Sequence, residues 1–456
     1  MLCTTTIHRA TRRPRHWQPW CALALLLLLV SGGAQAVPAY ARQTGSSCAD
    51  CHAAAYGGGP GGPMLTPYGL RFKMGGYTDT DGNGTKIPVS MQLTETHSAP
   101  AKGDSTTNLS EGDLYLAGRV SDNVGGFVKI EADHTGHNTY NTVLRNVDLR
   151  FVAKELKLAG KELLLGVSVN NMPGFDDPLN ALSASNTISP AGVTGTLLNF
   201  SSANAPASRV IGATVYALFD TNWYGEVGTY KSMPTSLQDH LGYNVAGDPG
   251  KLSDTGYFRF AYMKDMKSQY FSAGLVGLTT KRELPRNGGP KDDITDLGYD
   301  VSYQYLGTRD HIVQLSYSNI LEKRKYGSTF ASPTDPTLFS RSRGNVHDQT
   351  LTATYIFKQS YGVTVSHLLS TGSPDPVRYT PNGDPDTTAN LISVFWVPFG
   401  KDDSYIRWGN LKLSATWFRF TKFNGATSNI FAAPVGAPKT NPGDFNAFSV
   451  AASVAF

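Results

Sequence analysis

Residues 297–305 read LGYDVSYQY, and this alternation decides the fold. One face of such a segment carries Leu, Tyr and Val side chains, and the other carries Gly, Asp, Ser and Gln. Residues 147–153 and 411–417 alternate in the same way. A period of two indicates β-strands rather than helices. The pattern fits either a sheet with one buried face or a transmembrane barrel with lipid outside and water inside.

Sixteen such segments follow one another to the end of the chain, separated by Gly, Asn, Asp and Pro. They are about 9–14 residues long, near the length that a tilted strand needs to cross a bilayer. An even number of strands is the rule in bacterial outer-membrane barrels. We therefore predict an all-β fold, an antiparallel outer-membrane β-barrel of about sixteen strands, at 87–97, 111–120, 125–133, 143–153, 161–170, 208–219, 221–231, 255–263, 269–280, 293–305, 310–321, 348–357, 360–370, 390–399, 408–421 and 445–456.

The lengths of the predicted connections also favour the barrel. Links after even-numbered strands are short, whereas links after odd-numbered strands are longer and include 98–110 and 134–142. Short turns on one side and long loops on the other are typical of outer-membrane barrels. We interpret the longest link, 171–207, as a surface loop. The alternative is a constriction folded into the barrel, lined by Asp176 and Asp177.

The last residues of the chain form another alternating segment, FSVAASVAF at 448–456. A terminal Phe456 on such a strand resembles the C-terminal signature of bacterial outer-membrane proteins. The chain also contains 22 Tyr, 21 Phe and 6 Trp residues. This abundance is compatible with aromatic girdles at the two membrane interfaces.

The first 36 residues predict a secretory signal peptide. Several arginines precede a short apolar core at 22–30, and Ala34-Gln35-Ala36 supplies the small residues of a cleavage site. The apolar run is too short to span a bilayer. We predict a signal peptide at 1–36, a small N-terminal segment at 37–86 and the barrel at 87–456.

The N-terminal segment contains Cys48-Ala49-Asp50-Cys51-His52, the spacing for covalent attachment of a c-type haem. Cys48 and Cys51 would form the thioethers, and His52 would be the proximal iron ligand. The other two cysteines lie in the predicted signal peptide. A disulfide across so short a loop would add little stability, and a zinc site would need two further ligands at metal spacing. We therefore predict one covalent haem c.

The second axial ligand of the haem has three candidates. Met74 and Met64 would give a Met/His haem with a raised reduction potential, and His97 is the imidazole alternative. A methionine is also a common filler of apolar cores. A segment of roughly fifty residues is small to bury a core unaided, so the haem would supply much of its apolar interior.

Residues 41–52, ARQTGSSCADCH, and residues 65–77, LTPYGLRFKMGGY, resemble the fused outer-membrane cytochrome–porins. Members of that family include the iron oxidases of iron-oxidising bacteria. The resemblance implies a monohaem N-terminus joined to a sixteen-stranded porin, with Cys48 and Cys51 holding the haem and His52 ligating it. It also implies Fe(II) oxidation at the cell surface, an Fe(II):cytochrome oxidoreductase.

These parts predict an electron-transfer protein of the outer membrane, with the haem in the barrel lumen or on its periplasmic side. Its partners would be a small soluble electron donor such as Fe(II), a periplasmic c-type cytochrome or other soluble carrier, and outer-membrane lipid. Two alternatives remain: a solute porin with a structural or sensory haem, and a conduit that carries electrons outward. No nucleic-acid motif is found, and the formal net charge of +4 identifies no partner.

Overall fold

The computed structural model describes residues 38–56, 65–82, 84, 86–136, 139–171, 177–179, 195–198, 208–334, 337–401, 403–404 and 409–456. The predicted signal peptide and Met64 lie outside these residues. The described helices are short: α1 (Ala39–Thr44), α2 (Cys48–Cys51), α3 (Pro67–Met74) and α4 (Thr235–His240). No helix in the described part of the chain is long and apolar enough to cross a membrane.

The strands occupy most of the chain after residue 88. They are β1 (Val89–Pro100), β2 (Thr106–Ser121), β3 (Val124–Gly136), β4 (Thr139–Leu158), β5 (Lys161–Asn170), β6 (Val210–Phe219), β7 (Trp223–Ser232), β8 (Lys251–Asp265), β9 (Gln269–Glu283), β10 (Asp292–Tyr305), β11 (His311–Lys325), β12 (Arg343–Phe357), β13 (Tyr361–Gly372), β14 (Thr387–Trp396), β15 (Asn410–Lys422) and β16 (Ala447–Ala455).

Each strand pairs with its neighbours in the chain, and the first strand pairs with the last. In the closing pair, β1 runs antiparallel to β16 with Gln92 opposite Ala455 and Ala99 opposite Phe448. Closure leaves no strand edge with unpaired backbone groups. The predicted antiparallel barrel of sixteen strands is therefore confirmed.

The barrel has its apolar side chains on the outside. On β10, Leu297 and Tyr299 are 57% and 45% exposed, whereas Asp296 and Asp300 on the opposite face are 1% and 2% exposed. A water-soluble sheet would bury the first pair and expose the second. This inverted arrangement is the one expected of a barrel whose outer surface contacts lipid.

Aromatic side chains collect on the outer surface at one end of the barrel. Trp223 begins β7, Tyr305 ends β10, Tyr361 begins β13 and Trp396 ends β14, and all four are exposed. These positions adjoin the turns that follow even-numbered strands, and we call this end the short-turn end. A ring of Trp and Tyr is typical of the interface between lipid tails and head groups.

The connection between β3 and β4 differs from the prediction. We predicted a loop at 134–142, but β3 extends to Gly136 and β4 begins at Thr139. Only residues 137 and 138 lie between the two strands. Polar strands that project beyond the membrane keep their backbone hydrogen bonds but lose the apolar alternation that marks a strand in the sequence.

The connection between β5 and β6 is not the surface loop that we predicted, as far as it is described. The backbone N–H groups of Thr196, Leu197 and Leu198 donate to carboxylates inside the barrel, at 2.7, 2.6 and 2.8 Å. The acceptors are the side chains of Asp348, Glu322 and Asp296, respectively. The constriction alternative is therefore the correct one for these residues.

Asp177 belongs to the same connection and also faces inward. Its carboxylate lies 3.2 Å from the Nε of Arg259, and both side chains are completely buried. Arg259 also contacts Asp300 at 2.6 Å. Asp176, the second residue of the predicted constriction, lies outside the described residues.

Candidate functional site

The N-terminal segment lies in the mouth of the barrel at the short-turn end. Gln43 of α1 is fully buried and joins three parts of the chain. Its side-chain amide donates to the carbonyl oxygens of Tyr77, at 2.7 Å, and Asp79. The side-chain oxygen of Gln43 accepts from the backbone N–H of Arg119 on β2 at 2.8 Å. This residue therefore ties α1 and the segment after α3 to the barrel wall.

Tyr77 connects the N-terminal segment to side chains deeper inside the barrel. Its ring stacks on that of Tyr40, with 5.1 Å between centroids, and its hydroxyl donates to Asp148 at 2.6 Å. The guanidinium of Arg150 pairs with the same carboxylate at 2.8 Å and lies over the rings of Tyr77 and Tyr216. The additional hydrogen bond and the aromatic contacts offset part of the desolvation cost of this buried ion pair.

Helix α3 ends against β6 of the barrel wall. The hydroxyl of Tyr216 donates to the Met74 carbonyl at 2.8 Å. The side chain of Met74 is 1% exposed and packs in an apolar cluster with residues of β4 and β6–β9, which are Val152, Tyr216, Leu218, Tyr224, Ala261, Met263 and Tyr270. This is the environment of a core methionine. It lies apart from the cluster that surrounds residues 49–56.

The His97 alternative for the second iron ligand is wrong. His97 lies near the loop end of β1, on the outer face of the strand, and its Nδ1 is 2.7 Å from the Thr107 hydroxyl. The candidate site lies at the other end of the barrel. Since Met64 is outside the described residues, Met74 is the one candidate of the three that the structure describes inside the mouth.

Helix α2 contains the Cys-x-x-Cys part of the motif and is fixed by local contacts. The Ser47 backbone N–H donates to the Asp50 carboxylate at 2.8 Å, which caps the helix. The Thr66 N–H donates to the Cys51 carbonyl at 2.9 Å, and His52 forms a β-bridge with Leu65. These bonds join α2 to the start of α3.

Residues 49–55 are also bonded to the barrel. The Ala49 N–H donates to the carbonyl of Gly400 at 3.1 Å, and the Asn410 side chain donates to the carbonyl of Ala55 at 2.6 Å. The Arg309 guanidinium reaches the Ala49 carbonyl at 3.2 Å. The alanines at 49 and 53–55 and Tyr56 pack on apolar residues of the same mouth, which are Leu306, Ile312, Ile356, Phe395, Val397 and Ala455.

Cys48, Cys51 and His52 are therefore held together inside the barrel mouth. Both cysteines are free thiols, and all three side chains retain partial access to solvent. Burial raises the pKa of Cys48 to about 11 and that of Cys51 to about 12. Burial and the nearby charge of Lys412 lower the pKa of His52 to about 4.

These residues fit a c-type haem. The imidazole of His52 is neutral at physiological pH because of its lowered pKa, and a neutral imidazole is the form that ligates a metal. Its Nδ1 atom is buried without a hydrogen-bond partner among the described residues. The two thiols are unpaired and adjacent on one helix. Cys48 and Cys51 would hold the porphyrin, and His52 would ligate its iron.

Gly69 allows α3 to pass close to the motif. A Cβ atom added at this position would overlap the carbonyl oxygen of Cys51 and lie 3.1 Å from its Cα. We expect Gly69→Ala to destabilise the packing of α3 on α2 by about 1–3 kcal/mol. Hydrogen exchange of the amides in both helices should then be about tenfold to a hundredfold faster.

Gly225 on β7 provides the matched control, because a Cβ atom added there meets nothing within 4 Å. Gly225→Ala should leave exchange in α2 and α3 unchanged. Equal exchange in the two variants would show that the contact between Gly69 and Cys51 does not position the motif.

Several residues of the site were not identified from the sequence. Gln43 lies within the motif region, but nothing in the sequence indicates that its side chain joins three backbone segments. Asn410 and Lys412 lie on the polar face of β15, where an alternating pattern is visible. That pattern places them inside the barrel, but it does not tell which of the strands meets the N-terminal segment.

Comparison with known proteins gives solved structures only. No family model matches the chain, and no curated protein matches it. OmpT of Vibrio cholerae is 14% identical, over 82% of this chain and 99% of that chain, with a TM-score of 0.44. OmpF of Salmonella typhi, in complex with daunomycin, and the channel DcaP of Acinetobacter baumannii are each 11% identical, over 82% of this chain and 98% of theirs, with TM-scores of 0.46.

Proposed function

We propose that this chain is a porin-like barrel of the outer membrane that carries one haem c on Cys48, Cys51 and His52 and transfers electrons. In this proposal Fe(II) is the external reductant, and a periplasmic c-type cytochrome or another soluble carrier is the acceptor. The position of the Cys-x-x-Cys-His motif inside one mouth of the barrel is the observation that carries the proposal.

The chain's own residues would bind and orient the group. Cys48 and Cys51 are two unpaired thiols at one helix, and the neutral imidazole of His52 follows directly. The alanines at 49 and 53–55 are buried beside them, against apolar residues of the barrel wall. A bound haem c would supply a one-electron couple at this point, so that each Fe(II) ion gives up one electron and leaves as Fe(III).

The position of the site determines how reactants would reach it. The apolar band of an outer-membrane barrel is about 25 Å tall, and a single haem at one mouth cannot span it. Small reductants would therefore enter the lumen from the long-loop side. The acceptor would approach the short-turn end, which faces the periplasm in outer-membrane barrels.

A second candidate function is a solute porin whose haem is structural or sensory. The closed barrel, its polar interior and the connection folded into it support a channel more directly than they support electron transfer. A third possibility is a conduit that carries electrons outward, which would use the same residues with electron transfer in the opposite direction. The electron-transfer proposal depends on residues 48–52 alone.

An experiment with proteoliposomes distinguishes between these functions. The purified protein is reconstituted with a small oxidised c-type cytochrome trapped inside, and Fe(II) or a sugar is added outside. The proposal predicts reduction of the trapped cytochrome by Fe(II), with slow swelling in sugar. Rapid swelling, with reduction of the cytochrome that is equally fast in a Cys48→Ala/Cys51→Ala variant, would instead support the porin, because Fe(II) would then reach the cytochrome by diffusion.

A further inference from the structure

Lys412 faces the candidate site from the barrel wall. It lies on the lumen face of β15, two residues after Asn410, whose side chain binds the Ala55 carbonyl at 2.6 Å. The Nζ of Lys412 is 5.8 Å from the ring centroid of Tyr56 and 5.7 Å from that of Phe395. The beginning of β15 therefore lies beside the segment that follows the motif.

Charges of both signs lie near the motif. Besides Lys412, Arg309 is positive, whereas Asp50, Glu111 and Asp113 are negative. The ammonium of Lys412 acts on His52, and the guanidinium of Arg309 contacts the Ala49 carbonyl. The carboxylate that acts on Lys412 from the barrel wall is that of Glu111 on β2, which also accepts from Gln92 at 2.7 Å.

Tyr56 adds a second polar group close to Lys412. The residue is 8% exposed, and its hydroxyl is buried without a partner of good hydrogen-bond geometry among the described residues, although the Ser453 side chain lies near it. Buried hydroxyl groups are normally hydrogen-bonded. An ammonium beside a hydroxyl with spare hydrogen-bonding capacity is a suitable receptor for a carboxylate.

We propose that Lys412 is a positioning residue that receives a carboxylate of the bound haem and raises its reduction potential. The inference rests on the function proposed above. Haem carries two propionate groups, which need a cation or hydrogen-bond donors when they enter a protein. Reduction adds one negative charge at the iron, so a fixed positive charge nearby stabilises the reduced form. Charge and hydrogen bonding around a haem are established means of setting its potential.

The test is a redox titration of the holoprotein, followed by its visible spectrum, in wild type and four variants. Lys412→Met should shift the midpoint potential to a lower value, and Lys412→Arg should restore it towards the wild-type value. Glu111→Gln removes the opposing charge and should shift the potential in the other direction. A shift that Lys412→Arg reverses is caused by the charge of Lys412, because arginine restores the charge but not the shape of the side chain.

Lys422→Met is the matched control. Lys422 lies at the other end of β15, where it pairs with Asp386 at 2.9 Å, and its removal should leave the potential unchanged. A Lys412→Met potential equal to that of wild type would overturn the inference. Where Lys412→Met does not accumulate, Lys412→Gln decides: a lowered potential supports the inference, and an unchanged one overturns it.

The proposed function and this inference fail in different ways. Wild-type protein that purifies without covalent haem contradicts the proposed function. Wild type and variants that all carry haem at one common potential contradict only the role of Lys412.

Discussion

Replacing Cys48 and Cys51 together by alanine is expected to leave a folded barrel with no covalently bound haem. The two thiols provide the only covalent links that this site offers, and both lie on one short helix. The loss should be complete in haem staining of denaturing gels. The barrel should persist, because its strand ladder closes through β1 and β16 without the motif. Heat-dependent migration on gels would report the folded barrel.

Histidine variants supply the control for this experiment. His52→Ala should abolish the spectrum of a six-coordinate haem, because the proximal ligand is lost. His97→Ala should not change that spectrum, since His97 lies on the outer face of β1 near the opposite end of the barrel. Haem staining that survives in the Cys48→Ala/Cys51→Ala variant would refute the assignment of the attachment site.

A second large effect is expected where the connection between β5 and β6 is anchored. Asp296, Glu322 and Asp348 accept hydrogen bonds from three successive backbone N–H groups at 196–198. Replacing the three side chains by their amides keeps their shape but removes their negative charge. Asp296 and Glu322 interact directly with each other, so the three side chains do not carry three separate charges. A charged hydrogen bond is stronger than a neutral one by about 1 kcal/mol, so the anchorage should weaken by about 2 kcal/mol. Chymotrypsin should then cleave between 171 and 209 about thirtyfold faster.

Asp293→Asn is the control for the anchorage. Asp293 belongs to the same strand β10, but it lies half-exposed on the outer face, 3.5 Å from Lys325. Its cleavage rate should match that of wild type. A triple amide variant that is as resistant as wild type would show that other contacts hold the connection inside the barrel.

The barrel could be predicted from the sequence because a membrane imposes a strict pattern on the strands within it. Leu297 and Tyr299 must face lipid while Asp296 and Asp300 face the interior, and this requirement leaves a visible period of two. The strand ends follow no such rule. Asn141 and Thr142 belong to β4 beyond the apolar part of the strand, where backbone hydrogen bonds alone maintain the ladder.

The interior contacts could be predicted only in part. Cys48, Cys51 and His52 lie within five consecutive residues, so the sequence alone predicts that they form one site. The inward connection is held through its own backbone N–H groups, which every sequence possesses, and its acceptors lie on strands 98–152 residues away. No local sequence pattern predicts such contacts. In the same way, Lys412 is close to the site only because the folded barrel brings β15 next to the N-terminal segment.

The intact mass of the purified protein, together with its visible spectrum, tests the central claim most directly. The claim is that one haem is covalently attached within the short-turn mouth of the barrel. We expect a mature polypeptide heavier than its sequence by the mass of one haem, with a sharp α-band that appears when Fe(II) is added. A colourless polypeptide at its bare sequence mass, with two titratable thiols at Cys48 and Cys51, would contradict it.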